Sequence, residues 1–137
     1  MGTVHANITL KNYNDILGIK GESTKEEAVR QMAVEAIVDT GAMSLVINEE
    51  VRRELGLEIV GEKRVTFGNN RKEIVKRAGP VEIHWKNREM MCQPLVTSES
   101  GPILLGVIPL EGMDLMVDPV RLELVGAHGD EELQIVY

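Results

Sequence analysis

The stretch AIVDTGAMSLVI, residues 36–47, sets one acid, one hydroxyl residue and one glycine into the middle of an apolar run. Burying an ionised carboxylate without a partner is costly. Asp39 is therefore either the turn at a strand end or a working acid whose partner lies outside this stretch. Asp15, Asp114, Asp118 and Asp130 all lack a following Thr-Gly, so none repeats the setting of Asp39. Other reactive side chains are isolated. Cys92, between Met91 and Gln93, reads as a small core hydrophobe rather than a nucleophile. His5, His84 and His128 stand far apart without ligand spacing, so no metal site is expected.

The elements around Asp39 must fix it in space. Val4, Ala6, Ile8 and Leu10 alternate with polar residues, predicting a half-buried strand, and the polar residues 11–24 suit a loop. Thr24 and Glu27 form a capping box for a short turn or helix near 24–28, followed by a strand over about 30–38. After Asp-Thr-Gly, SLVI is strand-like. NEEVRRELG then predicts a helix, with Asn48 as cap, acids in its first turn and Gly56 as terminator. KRVTFGNNRKEIVKR reads as a hairpin turning at Asn69 and Asn70, and VEIHWKNREMMCQPLV as a second one turning near Asn87. GPILLG predicts a buried strand ending at Gly106. A short helix or turn follows, then a strand closed by Asp118-Pro119, and strands over 121–125 and 132–136. This is a mostly β barrel or sandwich with one clear helix, in a single domain over 1–137.

Composition narrows the partners. Hydrophobic residues make up 43% of the 137 but aromatics only 3%, so the core must be Val, Ile, Leu and some of the seven Met. Met90, Met91, Met113 and Met116 are expected there. A net charge of −7 argues against nucleic acid and anionic membrane as partners. Basic residues such as Lys63, Arg64, Arg71 and Lys72 read as scattered among acids. The single Cys permits no internal disulfide and suits a cytoplasmic setting. The first residues lack a basic start and an apolar core of signal-peptide type, and no run reaches the ~20 apolar residues of a membrane span.

A second apolar strand that stops at a glycine, ILLG at 103–106, completes a pattern with the Asp-Thr-Gly. EAIVDTGAMSLVINEEV and PILLGVIPLEGMDLMVDP together resemble the retropepsin-like aspartic proteases, in particular a bacterial and archaeal single-domain branch, over about residues 30–125. The resemblance implies an all-β, closed acid-protease barrel with one short helix, active as a homodimer. It implies that Asp39, Thr40 and Gly41 form the catalytic loop, with Asp39 facing Asp39 of a second copy and Thr40 bonding across the dimer axis. Leu104 to Gly106 would pass behind that loop. Substrate would meet Ala42, the flap residues Gly68, Asn69, Asn70 and Arg71, and the Leu105–Gly106 strand end. The chemistry implied is peptide-bond hydrolysis by water, with neither metal nor cofactor and with a bell-shaped pH profile belonging to the pair. Ala42 offers no hydroxyl to the carboxylates, so activity is expected closer to neutral pH than in relatives with Ser there. The alternative is a homodimeric peptide-binding module with little or no turnover. Val107 stands where retroviral members commonly carry Arg, the flap has one glycine, and segments 11–29 and 126–137 are additional.

Overall fold

The computed structural model describes residues 2–21, 28–66 and 68–129. Its elements are β1 (Val4–Asn12), α1 (Tyr13–Gly21), β2 (Gln31–Val38), β3 (Leu45–Ile47), α2 (Glu49–Leu55), β4 (Ile59–Thr66), β5 (Lys72–Ala78), β6 (Val81–Trp85), β7 (Arg88–Cys92), β8 (Leu95–Val96), β9 (Ile103–Leu105), α3 (Val107–Gly112), β10 (Leu115–Asp118) and β11 (Glu123–Gly126). Nine strands form one sheet in the order β4-β5-β8-β3-β9-β2-β1-β6-β7, and β10 pairs with β11. The large sheet curls into a half-barrel around the core, and its ladder ends at β4 and β7.

Alternation in β1 turns Val4, Ala6, Ile8 and Leu10 inward, as the sequence predicts. β1 pairs antiparallel with β2 from Val4↔Val38 to Lys11↔Gln31, so β2 is held along its whole length before it delivers Asp39. Ile8, Leu10, Leu45, Ile47, Leu55, Ile83, Leu105 and Met113 are almost completely buried in one cluster. Removing such a side chain from water stabilises by about 1.5–3 kcal/mol. Of the expected core methionines, Met113 is buried and Met90 packs against the cluster, whereas Met91 and Met116 are about half exposed.

α2 forms where expected. The Asn48 side chain accepts the Val51 amide at 2.8 Å, and Gly56 adopts φ 67° to end the helix. That left-handed conformation is one that few residues other than glycine adopt readily. Both hairpins, β4–β5 and β6–β7, also form as expected.

The segment expected as a loop over 11–24 differs. β1 runs on to Asn12, and α1 follows. Asn12 explains why: its side-chain Oδ1 accepts the Asp15 amide at 3.0 Å, while its side-chain Nδ2 donates to Leu55 O at 2.9 Å. A cap and a contact with α2 thus favour a helix that its two glycines would disfavour alone. Counting α3, three short helices accompany the strands among the described residues, rather than one. The strand expected at 121–125 lies at Glu123–Gly126. The Thr24–Glu27 capping box and the strand expected at 132–136 fall outside the described residues.

Candidate active site

β2 ends at Val38, and the chain turns sharply at Asp39. The Ala42 amide donates to Asp39 O at 3.0 Å, and the Gly41 amide donates to Asp39 Oδ1 at 2.9 Å. Behind this turn lies β9. It is parallel to β2 (Val38↔Leu105) and antiparallel to β3 (Leu45↔Leu105), so it fills the gap between the strand entering the turn and the strand leaving it. The Asp39 amide continues this ladder onto Leu105 O at 3.1 Å.

The first amides of α3 close the frame. Val107 and Ile108 donate to Ala42 O and Met43 O, each at 2.9 Å. Helix-start amides lack partners within their own helix, and here the loop carbonyls supply them. Gly106 permits the approach: a Cβ at that position would lie 2.5 Å from Ser44 O, 2.6 Å from Ala42 O and 2.7 Å from Ser44 N. No L side chain fits against three backbone atoms at such distances.

The outcome is a rigid loop with its chemistry facing outward. Asp39 is half-buried, while Thr40 and Gly41 are exposed. Among the described residues the Thr40 hydroxyl has no hydrogen-bond partner. Asp39, Ala42, Leu105 and Gly106 come together as the sequence predicts. Leu105 and Gly106 need a correction, however, as candidate substrate contacts. Leu105 is fully buried and Gly106 is buried, so both support the loop from behind and neither lines an open surface.

Gly68, Asn69, Asn70 and Arg71 form the exposed tip of the β4–β5 hairpin. The Arg71 amide donates to Asn69 Oδ1 at 3.0 Å, and Asn70 takes φ 63°, the conformation that this turn requires and that asparagine tolerates. The hairpin is anchored beside the loop, because β5 pairs with β8 and β8 with β3.

Two features of this region escape sequence reading. A small apolar cluster of Val46, Val75 and Leu95, with Val65 and Leu104 against it, joins the inner face of the hairpin to the strands that frame the loop. Met43 and Ile108, 64% and 49% exposed, are joined by the Ile108 amide's bond to Met43 O, which brings two exposed apolar residues to the edge of the loop. Pairing β4 with β5 in register would have found Val65 and Val75 on one face. Only the Ile108–Met43 bond reveals the second pair.

Other reactive groups lie elsewhere. Burial pushes the Cys92 thiol up to about 12, which makes it inert near neutral pH. Glu82, His84 and Glu89 gather on β6–β7, but His84 meets Glu82 through Nε2 at 2.6 Å and Glu89 through Nδ1 at 3.6 Å. One imidazole thus sits between two carboxylates and meets them through opposite nitrogens.

A family model described as Aspartyl protease matches residues 28–107, more than half of the chain and all of the frame from β2 to Gly106. The chain belongs to the aspartyl protease family. Within it, the curled sheet is retropepsin-like. The crystal structure of the retroviral protease-like domain of Ddi1 from Leishmania major shares the fold at a TM-score of 0.56, with 15% identity over 91% of this chain and 88% of that one. Comparison with curated proteins found no match. For an aspartyl protease, the frame accounts for the position of every residue of the Asp-Thr-Gly. It also makes this chain a protease-like module rather than merely a β-sheet protein with an acid at a turn.

Proposed function

We propose that the chain is a homodimeric aspartic endopeptidase of a cytoplasmic setting, in which Asp39 from two copies activates one water. The observation that supports this reading best is the Asp39 loop. Four backbone hydrogen bonds lock it, from Asp39, Ala42, Val107 and Ile108, yet it turns its acid and threonine outward. The Gly41 amide bond to Asp39 Oδ1 is one that an ordinary turn would also make; what a turn alone does not call for is the support of this loop by both β9 and α3.

Two carboxylates about 3 Å apart cannot both ionise, as is general for aspartic proteases. The charged one takes a proton from the water, whose oxygen attacks the peptide carbonyl carbon. The protonated one gives its proton to the carbonyl oxygen, so a neutral diol forms without a covalent enzyme intermediate. Collapse of the diol then moves a proton to the departing amide nitrogen. Thr40 would bond across the axis, and the hairpin tip from Gly68 to Arg71 would cover an extended peptide held by main-chain bonds.

Incubating the wild type with a mixed peptide library tests this. Fragments should appear, and Asp39→Asn should lower their rate by about a thousandfold or more while the protein stays folded. Undiminished cleavage by Asp39→Asn would remove Asp39 from the mechanism. Peptide capture without fragments at any pH would instead assign the chain to binding alone.

A further inference from the structure

The β4–β5 hairpin has a charge unlike that of the rest of the molecule. Residues 59–78 hold six basic residues against two acids, a net of +4 in a chain of −7, so the remainder carries −11. Expected to be scattered among acids, these cations instead concentrate in this one segment, and strand pairing sets several of them on one face. Side chains alternate across the hairpin, and the register sets Glu62 opposite Lys76, Arg64 opposite Ile74 and Thr66 opposite Lys72. One face therefore presents Arg64, Lys72 and Lys76, with Thr66 and a single acid, Glu62, around Ile74, an apolar side chain 62% exposed. The opposite face turns Val65 and Val75 towards Val46 and Leu104, so the cationic face looks outward.

Beside it lies a cavity of about 390 Å³, walled by Ile74, Lys76, Val96 and α2. Each carboxylate there has a cation of its own: Glu49 has Arg52, Glu73 has Arg71 and Glu99 has Arg53. Among the described residues no carboxylate lies within 4 Å of the charged nitrogens of Arg64, Lys72 or Lys76. Three exposed cations thus ring an apolar centre that opens on a cavity.

We propose that this outer face is a docking site for an acidic stretch of the substrate polypeptide, with Ile74 and the cavity taking an apolar residue between the acids. This rests on the peptidase reading and deepens it, since it names a substrate class selected away from Asp39. The remainder of the chain, at −11, repels an acidic chain on balance, whereas this face attracts it, and the short reach of charge in salt keeps the two apart. That same repulsion disfavours a nucleic acid, which would carry its charge along its whole length.

Two short fluorescent peptides test the inference, one with Glu flanking a central Leu and one with Gln in the same places. Binding is followed by anisotropy to the wild type and to Asp39→Asn. Each exposed charge pair contributes a factor of about 1.4–5, so the Glu peptide should bind about tenfold more tightly at low salt. That ratio should shrink as salt rises. It should collapse in the triple variant Arg64→Gln, Lys72→Gln, Lys76→Gln, and the three changes to Glu should create a preference for a Lys-flanked peptide. A ratio within twofold in the wild type, or an unchanged ratio in the triple Gln variant, would overturn the proposal. So would a single-stranded oligonucleotide that binds as tightly as the Glu peptide. Asp39→Asn should keep the preference while losing cleavage; in the wild type, preference without any cleavage indicts the peptidase reading alone, and cleavage without preference indicts this one alone.

Discussion

At the scale of single residues, two of the glycines singled out by sequence have opposite tolerances. Gly106→Ala would drive a methyl group into three backbone atoms. It should destabilise by about 1–3 kcal/mol or more, lowering the melting temperature and disordering the Asp39 loop. Gly68→Ala should stay within about 0.5 kcal/mol of wild type, because nothing lies within 4 Å of the added carbon. Thermal denaturation of both checks the contrast, and equal losses would contradict it. Asp39, Thr40 and Gly41 were legible because an acid inside an apolar run demands an explanation. The resemblance also placed Leu104 to Gly106 behind the loop, but not the burial that keeps Leu105 and Gly106 from substrate, since burial depends on strands brought together from distant parts of the sequence.

Between elements, Asp15 joins α1 to the start of β2. Arg30 donates to it from Nε at 2.9 Å and Nη2 at 3.0 Å, and from its own amide at 3.0 Å. These bonds hold the Asp15 carboxyl below its ordinary value, with the side-chain hydrogen bond the largest cause and partial burial opposing it. Such a carboxylate stabilises the fold fully above its unfolded value near 3.9 and ceases to do so as pH falls through the lower folded value. Asp15→Asn should therefore be less stable than wild type at pH 7, by about 0.5–1.5 kcal/mol. The gap should close below pH 4, and urea midpoints at pH 7 and pH 3 measure both. Asn48→Ala should cost about 1 kcal/mol at all these pH values, since that cap is uncharged. The α2 cap was readable because Asn, two acids and a closing glycine all act locally. α1 was not, because what favours it is Asn12 bonding across to Leu55.

For the molecule as a whole, one Asp-Thr-Gly per chain means that the proposed chemistry needs two copies. Specific activity should fall on dilution as sedimentation shows the dimer dissociating, and excess Asp39→Asn should poison the wild type through mixed dimers. Ile108→Lys places a charge on the apolar pair beside the loop; it should weaken association without loss of monomer stability, and an unchanged dimer would exclude that face. The sheet itself could be anticipated from alternation, but the insertion of β9 between β2 and β3 could not, because three short residues carry no register. That insertion has a consequence in time. β4–β5 is local and can form within microseconds, whereas the loop at Asp39 lacks its supports until residues 103–108 arrive from far along the chain. During synthesis the acid would emerge early and remain unformed as a site until Ile108 has left the ribosome. A nascent copy would thus be kept harmless to itself and its neighbours by the order in which its strands are made.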